Sequence, residues 1–135
     1  MKLLVDTNVL LDLALGRVPF DVDARDLLER VARGDAAGYV AGHAITTLYY
    51  IVRNKHGPAT AEASVRDAML VCEVVPLAAR DFEDALAFGF TDFEDAVHAA
   101  AARKVAADFV VTRDLKHFRT SPVRAMLPAD VLRLM

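Results

Sequence analysis

Short apolar runs alternate with longer segments of helical periodicity along this chain. Four runs predict strands: "KLLVD" (2–6), "GYVAG" (38–42), "CEVVPL" (72–77) and "DFVVT" (108–112). Between them, apolar residues recur every three or four positions, which is typical of amphipathic helices. Strands that are apolar throughout and alternate with helices indicate a parallel sheet covered on both faces. The pattern therefore predicts the α/β class, as a three-layer α/β/α sandwich with a central parallel sheet.

The predicted helices end at clear stop signals. One ends at Gly34, one at Gly57 before a proline, and one at Gly89. The segments with helical periodicity are 24–34, 43–57, 60–70, 79–89 and 91–106. The tail "PADVLRLM" is compatible with a last strand or a last helix, and the sequence does not decide between them.

Length and composition limit the class of protein. A chain of 135 residues is the size of one domain, which we expect to span residues 1–135. Its one cysteine, Cys72, excludes an internal disulfide and a cysteine-based zinc site. Asp6, Asn8 and Asp12 interrupt the apolar start, so a signal peptide is not expected, and no run is long enough to cross a bilayer. We therefore expect a cytoplasmic protein with no membrane contact.

Four aspartates are expected at one edge of the sheet. Asp6 ends the first strand, and Asp114 follows the last predicted strand by two residues. Asp92 and Asp95 open a helix, three positions apart and so on one helical face. Because right-handed crossovers place the carboxyl ends of parallel strands at one edge, these acids are expected to converge where such sheets bind ligands.

Structural roles are open to each acid taken alone. Asp6 could cap the next helix, and Asp114 could stabilise a turn. "TDFE" fits a capping box in which Thr91 is the N-cap and Glu94 reaches back, so we assign Glu94 to structure. Asp92 could complement the helix dipole. Asp95 has no such role, because "AVHAAAA" after it predicts a helix pressed against the sheet.

Together the acids point to a metal ion. Carboxylates about 5 Å apart repel by roughly 3 kcal/mol per pair at an effective dielectric near 20. We expect no lysine or arginine side chain to lie among these carboxylates, so they either take up protons or share a cation. Oxygen ligands without a cysteine or histidine cluster favour Mg²⁺ or Mn²⁺ over zinc.

Three ordered motifs make the chain resemble the PIN-domain family, in particular the small VapC-type toxins. "LLVDTNVLLDL" is similar to the family's first strand and helix, with Asp6 as the first acid and Asn8 beside it. "DFEDAVHAAAA" is similar to its D-x-x-x-A-x-x-A helix, with Asp95 at the acid. "FVVTRDLKHF" is similar to its closing strand, with Thr112 and Asp114 in the T-x-D position.

The resemblance implies a metal-dependent endoribonuclease that hydrolyses RNA phosphodiester bonds. Asp6, Asp95 and Asp114 would be the catalytic acids and would bind Mg²⁺ or Mn²⁺, with Asp92 completing the ring. Asn8 and Thr112 would orient water or the carboxylates. The resemblance also implies a homodimer and a small antitoxin protein that silences the toxin.

Two positions depart from the family pattern. Thr47 stands where the family usually has a glutamate in its third helix, so a weaker metal site or a single ion is expected. His117 stands where related chains often have another aspartate, and we interpret it as a surface or RNA-facing residue and not as a ligand. His98 is interpreted as a satisfied inward histidine and Tyr49 as a core residue.

Two other functions compete with the nuclease. Thr47 favours a PIN-fold module that binds RNA or a protein partner with little or no cleavage. A phosphotransfer receiver or a phosphatase with Asp6 as nucleophile is disfavoured, because it would need an acid two residues after Asp6, where Asn8 stands, or a lysine near the last strand.

Overall fold

A five-stranded parallel sheet lies at the centre of the computed structural model, which describes residues 1–135. The strands are β1 (Lys2–Val5), β2 (Ala37–Ala41), β3 (Glu73–Val75), β4 (Phe109–Val111) and β5 (Ala125–Met126). The helices are α1 (Thr7–Ala14), α2 (Phe20–Ala32), α3 (Gly42–His56), α4 (Pro58–Val71), α5 (Ala79–Leu86), α6 (Phe93–Lys104) and α7 (Pro128–Leu134), and a 3₁₀ helix spans Leu115–Phe118.

The strand order, β3-β2-β1-β4-β5, places β1 in the middle of the sheet. The chain leaves β1 towards β2 and β3 and then returns to the other side of β1 as β4. Such a reversal opens a crevice at the carboxyl ends of the two strands on either side of it. The backbone N–H of Asp6 donates to the carbonyl oxygen of Val111 at 3.0 Å, so the residues that follow β1 and β4 lie side by side at this crevice.

Alternating residues of the sheet face two separate helical layers. Leu3 and Val5 belong to a core shared with α1, α2, α3, α4 and α7. Leu4, between them, belongs to a second core shared with α6 and the 3₁₀ helix, and α5 packs on α6. The predicted three-layer α/β/α sandwich with a parallel sheet is confirmed.

Helix α6 packs close to the sheet because its inner face is made of small side chains. Ala99, Ala101 and Ala102 are fully buried, and α6 contacts β1, β2 and β4. This close approach brings the first turn of the helix to the crevice at the end of β1. No helix of the structure is both long enough and apolar enough to cross a membrane.

Two details differ from the sequence-based prediction. The capping box was wrong: α6 begins at Phe93 and its N-cap is Asp92, whose Oδ1 accepts from the backbone N–H of Asp95 at 3.1 Å. Asp92 is one residue nearer the helix than Thr91, so its carboxylate reaches the free N–H group first. The undecided tail, residues 128–135, is resolved as α7, which has Pro128 in its first turn, and the short β5 just before it was not predicted.

Candidate functional site

One polar pocket, about 200 Å³ in volume, lies at the crevice between the ends of β1 and β4. All four predicted acids line it, together with Asn8 and Thr47. Glu94 and His117 also line it, although the sequence had assigned Glu94 to a helix cap and His117 to the surface. No lysine or arginine is among the lining residues. The pocket therefore collects five carboxyl groups with one imidazole as the only possible cation.

Asp6 lies at the bottom of this pocket and is only 1% exposed. It is the N-cap residue of α1, but its side chain makes no capping hydrogen bond. Its Oδ2 accepts instead from the Thr112 hydroxyl at 2.8 Å. Burial raises the pKa of Asp6 to about 7, with further increases from the charges of Asp95 and Asp114, against the lowering effect of the Thr112 hydrogen bond. A carboxyl group of this kind binds either a proton or a cation near neutral pH.

Asp95 projects from the first turn of α6 towards the same pocket. Burial raises its pKa, whereas a hydrogen bond from His117 opposes that rise. The Nδ1 of His117 lies 2.9 Å from Oδ2 of Asp95, and this contact raises the pKa of His117. The 3₁₀ helix turns the His117 ring onto Asp95 while leaving 46% of its side chain exposed, a contact that the sequence did not reveal.

Asp114 is connected to Asp6 through Thr112. The Thr112 hydroxyl donates to Asp6 and accepts from the backbone N–H of Asp114 at 3.0 Å. Thr112 itself is fully buried. The Asn8 amide lies 3.5 Å from Oδ2 of Asp114, which is a long and weak contact. Thr112 thus sets the relative position of the two aspartates from beneath the pocket.

A buried ion pair that the sequence did not reveal fixes the segment between Thr112 and Asp114. Arg113 donates to both carboxylate oxygens of Asp12, at 2.6 and 2.9 Å, and Asp12 is 1% exposed. The guanidinium also lies over the Phe20 ring, 4.0 Å from its centroid. Asp12 lies on α1 between Leu11 and Leu13, and nothing in the sequence named Arg113 as its partner.

Thr47 lines the pocket without adding charge. Its hydroxyl donates to the carbonyl oxygen of His43 at 3.2 Å, one turn earlier on α3. The position where the resemblance expects a glutamate is therefore at the pocket, and it offers only a hydroxyl group whose proton is already engaged.

Two histidines extend the site behind Asp6. His98 is fully buried, and its Nε2 lies 3.0 Å from the Thr7 hydroxyl and 3.3 Å from Oδ1 of Asp6. The His43 ring lies 4.5 Å from the His98 ring, centroid to centroid. Burial lowers the pKa of His98 to about 3 and also lowers that of His43, so both rings are neutral near pH 7. His98 is inward, as expected, but only one of its nitrogens has a partner.

Comparison with known protein families decides what kind of chain this is. The family model described as PIN domain matches residues 2–116. The chain belongs to the PIN-domain family. A comparison with curated proteins finds no match.

Solved structures share the fold of this PIN domain at low sequence identity. VapBC2 of Rickettsia felis, bound to a DNA fragment from its promoter, has a TM-score of 0.74 at 15% identity, covering 94% of this chain and 98% of the other. VapBC-1 of nontypeable Haemophilus influenzae has a TM-score of 0.73 at 13% identity, covering 96% and 99%. VapC20 of Mycobacterium tuberculosis, a toxin that cleaves the sarcin–ricin loop, has a TM-score of 0.64 at 17% identity, covering 80% and 86%.

The donor set of the PIN-domain pocket fits a hard divalent cation. Asp6, Asp95 and Asp114 offer only oxygen atoms, and burial, followed by the charges of neighbouring acids, raises the pKa of Asp6 and of Asp95. Mg²⁺ takes few protein carboxylates and keeps several waters, so it does not need a tightly closed cage. The open, carboxylate-lined pocket suits that mode of binding.

Proposed function

We propose that this PIN domain is a divalent-metal-dependent endoribonuclease and the toxin of a VapBC-type toxin–antitoxin pair. The observation that supports it best is the convergence of Asp6, Asp92, Asp95 and Asp114 on one pocket that no lysine or arginine lines. The solved neighbours support the same proposal, since one of them is described as a toxin that cleaves the sarcin–ricin loop.

Asp6, Asp95 and Asp114 are the catalytic acids of this proposal and the ligands of Mg²⁺ or Mn²⁺. A bound divalent ion supplies Lewis-acid chemistry: it makes water a stronger nucleophile near neutral pH and neutralises charge on the phosphate. Thr112 holds the Asp6 carboxylate through its hydroxyl and the backbone of Asp114 through that residue's N–H, so the two residues keep a fixed relative position. Asp92 supports the site by capping α6, which fixes the backbone of Asp95.

His117 and Asn8 serve the substrate side of the pocket. The raised pKa of His117 favours an imidazolium next to Asp95, and the exposed part of its ring can meet an RNA phosphate. Asn8 contacts Asp114 through its amide nitrogen and the Arg17 guanidinium through its amide oxygen, each at 3.5 Å. Arg17 lies beside the pocket, where its guanidinium offers a second contact for an RNA backbone.

An apolar groove between α1, α2, α3 and α4 is the proposed docking site of the antitoxin. It is lined mainly by apolar side chains: Leu10, Leu13, Ala14, Leu28, Leu48, Ala68 and Val71. Two solved neighbours are VapBC assemblies, which supports an antitoxin as the partner that covers such a groove. A homodimer and a cytoplasmic location complete the proposal.

Thr47 favours one alternative, a PIN-fold module that binds RNA or a partner without cutting. Its hydroxyl adds no charge to the pocket and already donates to His43. A pocket with one acid fewer than the family pattern has less attraction for a metal ion, so this alternative predicts RNA binding without cleavage.

The test is an RNA-cleavage assay with purified protein, in which Mn²⁺ is compared with EDTA. Cleavage that requires Mn²⁺ and is lost in Asp95→Asn supports the nuclease. Asp35→Asn is the matched control, because Asp35 is exposed and precedes β2, at the opposite edge of the sheet, and it should cleave as the wild type does. RNA binding without cleavage under Mg²⁺ or Mn²⁺ would contradict the nuclease and favour the binding module.

A further inference from the structure

Two imidazole nitrogens behind the acidic pocket have no hydrogen-bond partner. They are the Nδ1 atoms of His43 and His98, and both are buried. His98 is 0% exposed, and the centroids of the two rings lie 4.5 Å apart with their planes inclined at 47°. Buried polar atoms almost always have a partner, so a pair of orphaned nitrogens at one place requires an explanation.

The other nitrogen of each ring is already engaged by oxygen. Nε2 of His43 lies 3.2 Å from the backbone carbonyl oxygen of Glu94, which can only accept, so this nitrogen carries the proton. Nε2 of His98 lies 3.3 Å from a carboxylate oxygen of Asp6 and 3.0 Å from the Thr7 hydroxyl. When Asp6 is ionised, the proton of His98 is therefore on Nε2 as well. The Nδ1 atom of each neutral ring then has a lone pair that accepts no hydrogen bond.

This arrangement is the one that metal-binding histidines show. A histidine ligand usually donates its second N–H to a carboxylate or a backbone carbonyl, which fixes the tautomer and the ring orientation. His43 has the carbonyl, whereas the hydrogen-bond partner of His98 Nε2 is the Thr7 hydroxyl at 3.0 Å, with the Asp6 carboxylate 3.3 Å away. Glu94 supplies a third donor, one helical turn before His98 on α6.

The three side chains are close enough to bind one ion. One potential ligand atom from each of His43, Glu94 and His98 lies within 4.8 Å of the other two, and no other group of three in the structure is as tight. In a tetrahedral zinc site the ligand atoms lie about 3.4 Å apart, because each is roughly 2.1 Å from the ion. Glu94 is exposed and free to move by the remaining distance.

We propose that His43, His98 and Glu94 form a second metal site, which takes a transition-metal dication of the Zn²⁺ type. Two imidazoles and one carboxylate suit Zn²⁺ better than Mg²⁺, which prefers oxygen alone. The site borders the acidic pocket, which Glu94 also lines and whose Asp6 lies 3.3 Å from His98, but none of its three ligands is a catalytic acid of the proposed nuclease. Its ion would join the first turn of α3, where His43 lies, to the start of α6.

The test measures Zn²⁺ binding directly, with Co²⁺ as the spectroscopic probe of the same site. Titration of the metal-free protein should give a visible Co²⁺ absorption band with nitrogen ligation, which one equivalent of Zn²⁺ abolishes. His43→Ala and Glu94→Gln should each weaken Zn²⁺ binding at least tenfold. Glu94→Gln keeps the side-chain shape on an exposed position, so it tests the ligand even if a histidine variant loses stability.

Two control variants make the outcome decisive. His56→Ala removes an exposed histidine at the far end of α3 and should leave Zn²⁺ binding unchanged. Asp114→Asn weakens the acidic pocket and should lower Mg²⁺ affinity without changing that for Zn²⁺. Zn²⁺ binding that is equal in the wild type, His43→Ala and Glu94→Gln, or that is lost in Asp114→Asn, would overturn the proposed second site.

Discussion

At the scale of single residues, the site depends on Asp6, a carboxyl group held out of water. Burial is the largest cause of its raised pKa, and the neighbouring acids add to it. The Thr112 hydroxyl opposes the rise without cancelling it. Asp6 is therefore a group whose charge is costly unless a cation is present, which is the property expected of a metal ligand in an otherwise anionic pocket.

The contribution of Asp6 to the stability of the metal-free protein should fall as the pH rises from about 4 to about 7, whereas His98, whose pKa is lowered to about 3, acts in the opposite sense over most of this range. In this window the folded protein keeps a proton on Asp6, whose pKa is about 7, while the unfolded chain has released it from a group with a pKa of 3.8. This contribution to the free energy of unfolding is complete below pH 3.8 and is lost as the pH rises past about 7. The total change is on the order of 4 kcal/mol. Urea unfolding in EDTA across this range, taken as the difference between the wild type and Asp6→Asn, measures the Asp6 contribution.

Asp6→Asn is the comparison for that pH experiment, because its amide does not titrate. The difference in unfolding free energy between wild type and variant should shrink as the pH approaches 7. Parallel pH profiles for the two proteins would show that Asp6 does not hold a proton as described.

Thr112→Val should weaken metal binding and stability, because it removes the two hydrogen bonds of the Thr112 hydroxyl. The substitution keeps the shape but leaves Asp6 and the N–H of Asp114 without their shared partner. We expect a loss of about 1 to 3 kcal/mol in unfolding free energy and roughly 10- to 100-fold weaker Mn²⁺ binding. Calorimetric titration measures the affinity, and the exposed Thr120→Val should behave as wild type. Unchanged affinity in Thr112→Val would contradict its role.

The position of a site residue could be predicted from the sequence where a single strand or helix determines it. Asp6 and Asp114 follow apolar strands, so their edge of the sheet could be inferred without coordinates. His43 and His98 lie on different helices, and their contact depends on how closely α3 and α6 approach. The His117 contact depends on a 3₁₀ helix with no clear periodic signal.

At the scale of elements, the start of α6 connects structure to function. Asp92 accepts from the N–H of Asp95, so the cap that begins the helix also fixes a proposed metal ligand. The small side chains that follow allow the helix to lie against the sheet. Sequence periodicity predicted the helix. Its N-cap was predicted wrongly, because Thr91 and Asp92 are both residue types that cap helices.

Asp92→Ala should destabilise the protein by about 1 kcal/mol, the usual cost of losing an N-cap. Thermal or urea unfolding measures this change. Asp23→Ala is the matched control, because Asp23 lies in the first turn of α2 and makes no capping hydrogen bond. Equal stability of Asp92→Ala and the wild type would exclude the proposed capping role.

At the scale of the whole molecule, strand order places the pocket. The order of the strands reverses at β1, because the chain first adds β2 and β3 on one side of β1 and then β4 on the other. The crevice between β1 and β4 receives Asp6 from the end of β1 and Asp114 from just beyond β4. The parallel sheet and its layers followed from apolar strands alternating with helices. The short β5 did not, because two paired residues leave too weak a pattern to recognise.

The most direct measurement of the central claim is thermal unfolding in Mg²⁺ and in EDTA, near pH 7.5. Mg²⁺ binds only the folded acid pocket, so at a hundred times the dissociation constant it should raise Tm by roughly 10 °C. The shift should vanish in Asp95→Asn and persist in Asp35→Asn. A wild-type Tm that does not respond to Mg²⁺, or an equal shift in Asp95→Asn, would contradict a divalent-cation site at these aspartates.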